Sequence, residues 1–137
     1  MANFDALKAS IQKLVPEYEL SLAVLFGSQA RGETHAKSDI DIAVQGNAGP
    51  VDFLKLVEIA NRLSKAAKTD HIDVVDITKM SPLLRKQVAD DGVILFERHN
   101  NIFAEFMLLA NKLYIEAKPL LLQREQYVKQ ALGLASA

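Results

Sequence analysis

The chain has 137 residues, half of them hydrophobic, a formal net charge of −1 and no cysteine. That length fits one domain with a real core, the missing thiols exclude a disulfide framework or thiolate metal site, and the near-neutral balance offers no basic surface for wrapping nucleic acid. No apolar run approaches the ~20 residues that span a bilayer, and the first residues lack a signal-peptide pattern, so a cytoplasmic protein without membrane or direct nucleic-acid association is expected.

In chain order, Phe4, Leu7, Ile11 and Leu14 recur with a helical period, and Pro16 is expected to end that helix. Residues 20–26 are a short apolar run closed by Gly27, which reads as a buried strand. Residues 27–37 fit a loop or a single helical turn, and acid alternates with aliphatic from Asp39 to Val44 as in a strand. After a loop over 46–50, a helix over 51–67 carries a stripe of Phe53, Leu54, Val57, Ile59, Ala60 and Leu63. Residues 72–77 form a third strand, Ser81 and Pro82 open a helix as N-cap and first helical residue, and Gly92 precedes a fourth strand over 93–96. Beyond it, Asn100 or Asn101 can cap a helix to about Lys118, where Pro119 breaks it or begins a second segment. Strands alternating with helices give an α/β or α+β domain with a sheet of about four strands.

The chemistry concentrates on two strands. Asp39 and Asp41 point to one side of their strand, roughly 6–7 Å apart, while Ile40 and Ile42 point to the core. Two bare carboxylates repel, and one tends to keep a proton unless a cation removes the conflict. Mg²⁺ suits such an incomplete shell, because it prefers a few carboxylate oxygens completed by water and substrate phosphate. On the third strand, Ile72 and Val74 share the core parity, so Asp73 falls on the opposite side and can join the pair, whereas Asp76 belongs at the strand end away from it. Three carboxylates can hold two ions about 4 Å apart, the arrangement that clamps attacking and leaving oxygens at phosphorus. An Asp-x-Asp pair alone is most often plain solvated surface.

Upstream, Gly27 allows close backbone approach, Ser28 adds a hydroxyl, and Arg31 one turn on can reach phosphate. The Gly-x-x-x-x-Gly-Lys of a P-loop is absent. Gly27-Ser28, ten intervening residues and then Asp39-Ile40-Asp41 together resemble the signature of the DNA-polymerase-β-like nucleotidyltransferase superfamily. Arg31-Gly32 and Ser38 fall where that family often places them, and Asp73 matches its third acid. The resemblance spans roughly residues 20–96, and the short chain is similar to the minimal nucleotidyltransferases, often the antitoxin half of HEPN/MNT toxin–antitoxin pairs.

The resemblance implies a mixed sheet flanked by helices. It implies AMP transfer from ATP to a hydroxyl, a tyrosine of a cognate HEPN ribonuclease, with two Mg²⁺ ions. It assigns Asp39, Asp41 and Asp73 to the metals and to catalysis, and Gly27, Ser28, Arg31 and Ser38 to the nucleotide. Residues 1–98 would be the nucleotidyltransferase domain and 99–137 a helical extension packed on it, on a partner or on a second copy. Ile102, Phe106, Leu109 and Leu113 form one apolar seam of that extension, and Phe103, Met107, Ala110 and Tyr114 a second. Two other functions remain open at this point: a small-molecule nucleotidyltransferase like those acting on aminoglycosides, and an antitoxin that works by occlusion without catalysis. His35, His71 and His99 are scattered without paired ligand spacing, and His35, in the loop over the site, reads as solvated rather than as a nucleotide contact.

Overall fold

A computed structural model describes residues 4–32 and 39–133. The elements are α1 (Phe4–Tyr18), β1 (Leu20–Phe26), β2 (Ile40–Gly46), α2 (Phe53–Ala67), β3 (Ile72–Asp76), a 3₁₀ turn (Ile77–Lys79), α3 (Pro82–Asp91), β4 (Val93–Glu97) and α4 (Ile102–Ala131). The four strands form one mixed sheet in the order β3-β2-β1-β4. β1 runs antiparallel to both β2 and β4, and β3 lies parallel to β2. A parallel pair needs a crossover, and α2 is that crossover. Among the described residues no helix is long and apolar enough to cross a membrane.

Helices cover both faces of the sheet, so β1, in its interior, is buried at every one of its seven positions. Leu20, Leu25, Ile40, Ile42, Val44, Ile72 and Val74 pack with α1 and α2 into one cluster. Leu22, Val24, Phe26 and Ala43 pack on the other face with Ile77, Met80, Val88 and Phe103. Gly92 is a contact point of that second layer, because a Cβ there would overlap the Val88 carbonyl and Val24.

Three local expectations need correction. Neither proline ends its helix: α1 continues through Pro16 to Tyr18, and α4 continues through Pro119 to Ala131. Pro16 lies in the last turn, where it costs one bond to the Gln12 carbonyl, and the next residues earn the extension. Tyr18 is buried against α2 and its hydroxyl donates to Glu58 at 3.0 Å, after which Glu19 at φ 51° ends the helix. Pro119 falls on an exposed part of α4, where Ile115, whose carbonyl loses its donor, is 70 % exposed and open to water.

The buried stripe of α2 is Leu56, Ile59 and Leu63, with Ala60 and Ala67 beside it, while Phe53, Leu54 and Val57 are exposed. At 100° per residue, Leu54 sits about 160° around from Leu56 and Val57 about 100°, while Phe53 occupies the first turn at the rim. The third correction concerns the start of α4. Asn101 is the N-cap residue, but it stands at φ 80° and its side chain makes no capping bond. The Glu97 carboxylate accepts from the Phe103 N–H at 3.1 Å instead. Ser81, by contrast, caps α3 as expected, accepting from the Leu84 N–H at 3.2 Å.

Candidate active site

The site lies where β1 ends and β2 begins. Phe26 pairs with Asp41 across the antiparallel ladder, and the chain then turns at Gly27 with φ 78°. A side chain on Gly27 would overlap Asp41 Oδ2, so glycine is required there twice, for its backbone angle and for the carboxylate beside it. Residues 27–32 form a single helix-like turn, with the Arg31 N–H donating to the Gly27 carbonyl and the Gly32 N–H to the Gln29 carbonyl, each at 3.3 Å. Ser28 is half-buried on this turn. Gln29, which no motif singles out, is buried, and its side-chain oxygen accepts no hydrogen bond among the described residues.

The parallel register places Asp41 directly opposite Asp73, flanked by the pairs Ile40 with Ile72 and Ile42 with Val74. Those four aliphatics are buried in the α1 and α2 layer. Alternation therefore sends both carboxylates to the other side, where Asp41 is half-buried and Asp73 exposed. The Asp41 carboxyl is pushed above its ordinary range, first by burial and then by the negative charges of Asp73 and Asp39, with Arg31 pulling the opposite way. Asp39, Asp73 and Arg31 thus lie within electrostatic reach of Asp41. Ser38 and His35 lie outside the described residues.

Asp76 sits three residues after Asp73 and does different work. It is 2 % exposed and accepts from the Val51 N–H at 2.7 Å, the Thr78 N–H at 2.9 Å and the Thr78 hydroxyl at 2.7 Å. It fastens the entry to α2 and the 3₁₀ turn, away from the acid group.

One neighbour escaped the sequence reading. The Ile40 N–H donates to the His71 carbonyl at 2.6 Å, and His71 Nδ1 lies 3.6 Å from Asp39 Oδ1. The signal for this contact is the strand register: if Ile40 faces Ile72 in a parallel pair, Asp39 faces His71.

The donor set suits Mg²⁺. Among the described residues no three acids or imidazoles gather closely enough to hold an ion by themselves. The acids stand as a pair on one strand and a single on the next, which is an open shell of the kind that substrate oxygens complete. After burial, the charges of Asp73 and Asp39 add to the upward push on the Asp41 carboxyl, a repulsion that a cation relieves.

Strand-borne carboxylates facing a glycine-serine turn, on a mixed sheet backed by helices, are the arrangement of a nucleotidyltransferase domain. The polymerase beta nucleotidyltransferase pattern matches residues 9–101, and the chain belongs to that family. It is 38 % identical over 88 residues to the protein adenylyltransferase MntA of Shewanella oneidensis, a match covering 63 % of this chain and 62 % of that protein. Its fold matches a chain in the crystal structure of a toxin–antitoxin complex with AMP-PNP at a TM-score of 0.74 and 30 % identity, over 91 % of this chain and 98 % of that one. A structure of tri-AMPylated Shewanella oneidensis HEPN toxin in complex with MNT antitoxin matches at a TM-score of 0.71 and 26 % identity, over 95 % and 99 % of the two chains.

Proposed function

We propose that this nucleotidyltransferase transfers AMP from ATP to a tyrosine hydroxyl of a cognate HEPN ribonuclease toxin, and so acts as its antitoxin in the cytoplasm. The Asp41–Asp73 pair, facing each other across β2 and β3 beside Gly27, carries the chemical part of this reading. The similarity to MntA and to antitoxins seen with AMP-PNP or with an AMPylated toxin supports the choice of donor and acceptor.

Asp39, Asp41 and Asp73 would hold two Mg²⁺ ions, with the first two serving both and Asp73 one. Gly27 and Ser28, with Arg31 and Ser38, take the triphosphate. Bound Mg²⁺ supplies Lewis-acid activation of the acceptor hydroxyl and neutralises charge on the leaving oxygens. Asp73, exposed at the mouth of the site, accepts the tyrosine proton. The tyrosine oxygen forms its bond to the α-phosphorus, the α–β phosphoanhydride bond breaks, and pyrophosphate leaves.

In this reading residues 1–98 are the nucleotidyltransferase domain and 99–137 an extension serving both domain and partner. The first half of α4 buries Phe103 and Ala110 on the sheet, and the Lys86 ammonium donates to Asn111 at 2.7 Å. Farther along, Ile115, Leu120 and Tyr127 are about 70 % exposed and offer the toxin an apolar surface.

The test joins chemistry to neutralisation. Incubation with ATP, Mg²⁺ and the HEPN toxin should raise the toxin's intact mass by whole AMP units. The double variant Asp39→Ala with Asp41→Ala should give no mass change and no longer protect cells from the toxin. Protection by that variant at equal expression would favour occlusion and overturn the enzymatic reading.

A further inference from the structure

The acid face carries two cross-strand pairs of unlike character. Asp41 faces Asp73, like against like. Two residues back, just before the first strand pair of Ile40 with Ile72, His71 Nδ1 stands 3.6 Å from Asp39 Oδ1. The histidine backbone is itself fixed, because its carbonyl receives the Ile40 N–H at 2.6 Å. That bond holds the backbone from which the imidazole reaches the carboxylate.

Asp39 needs such a neighbour more than Asp41 does. Asp41 lies within β2, half-buried and against Gly27. Asp39 precedes the strand, and its side chain is 58 % exposed. A free carboxylate at that place samples several rotamers, and binding a cation must freeze them. A hydrogen-bonding partner behind a ligating carboxylate reduces that loss and sets which oxygen faces the ion.

We propose that His71 is a positioning residue that orients the Asp39 carboxylate for the divalent cation. This rests on the nucleotidyltransferase reading of the acid group. His71 Nδ1 stands beside Oδ1 at 3.6 Å, which leaves the other carboxylate oxygen free for the ion. The histidine touches neither the nucleotide nor the reacting atoms and acts through Asp39.

The test is titration with Mn²⁺ alone, followed by the paramagnetic resonance of the free ion, on the whole chain and three variants. His71→Ala should weaken Mn²⁺ binding by about 10- to 100-fold, the range for loss of a partner behind a metal ligand. Its thermal melt without metal should match that of the unaltered chain, because the His71 side chain is half-exposed. His71→Asn, whose amide N–H can stand near the imidazole Nδ1, should restore most of the affinity. Excess Mg²⁺ should return His71→Ala turnover to near the unaltered rate, which a merely structural lesion would not allow. Asp41→Asn tests the underlying site. If Asp41→Asn loses the ion while His71→Ala binds as tightly as the unaltered chain, or if Asn fails to rescue, the positioning role falls and the acid site stands. If Asp41→Asn binds as well as the unaltered chain, the reading of the acid site itself is wrong.

Discussion

On the α1 and α2 side of the sheet, strands β2 and β3 present Ile40, Ile42, Ile72 and Val74 to a continuous core. On the α3 and α4 side the same two strands, one residue out of phase, present Asp41 and Asp73 beside Ala43 and Val75. Helices α3 and α4 cover that second face over Ala43 and its neighbours, and Asp73 beyond them remains exposed. The comparison teaches that strand parity separates stability from chemistry within a few ångströms. Substitutions on adjacent residues should therefore fail in different ways.

The largest contrast is between Asp73→Asn and Ile42→Ala. Losing the exposed acid should lower kcat by about 10³-fold, near 4 kcal/mol of transition-state stabilisation. Its urea midpoint should barely move, because Asp73 is solvent-exposed and adds repulsion to Asp41. Ile42 is fully buried, and its truncation should cost about 3 kcal/mol of folding stability. Turnover per folded molecule of Ile42→Ala should stay within several-fold of the original. Pyrophosphate release assays set against urea melts check both halves, and an active Asp73→Asn enzyme would remove this acid from the mechanism.

Gly27→Ala strikes both properties at once. The new methyl overlaps Asp41 Oδ2, and the residue is held at φ 78°. Displacing a catalytic carboxylate by about 1 Å is expected to cost about 10²-fold in kcat. The left-handed backbone should add about 1–2 kcal/mol of destabilisation. A variant with unchanged turnover would show that Asp41 can shift without loss, and that the glycine serves the turn alone.

Much of this site was legible before any coordinates. Alternation in residues 39–44 and 72–77 assigned Asp39, Asp41 and Asp73 to one side and Asp76 elsewhere, and the buried aliphatics bear out that parity for Asp41 and Asp73. Local rules worked where a single residue decides the outcome, as with the Ser81 cap. They failed where packing outweighs a local penalty. Pro16 ends no helix because Tyr18, two residues on, finds a buried place on α2. Phe53, Leu54 and Val57 are as apolar as the core residues of α2, and only the rotation of the helix against the sheet decides which are covered. His71 was illegible for a different reason: its neighbour Asp39 lies 32 positions away in sequence, and their contact depends on β3 lying parallel beside β2 in one register.

The smallest expected effect tests whether the open face is electrostatically unfavourable until a cation arrives. The Asp41 carboxyl sits above its ordinary value of 3.8 because burial and the charges of Asp73 and Asp39 disfavour its ionised form. With a raised carboxyl in the folded state, the unfolded chain gives up its proton first as pH rises. The associated stability is therefore complete below pH 3.8 and is lost as pH climbs through the raised value. Asp41→Asn has no proton to lose at this position. Without metal, the stability difference between variant and unaltered chain should move in favour of the variant over that pH window and then stay level to neutrality. Solvent screening of a half-exposed group keeps the change under about 1 kcal/mol, which paired thermal melts can resolve. Mg²⁺ should reverse the order at neutral pH, because it binds and stabilises only the chain that keeps its carboxylates. A flat difference across the window, together with no response to Mg²⁺, would mean that the acid face carries no unresolved charge conflict for a cation to relieve.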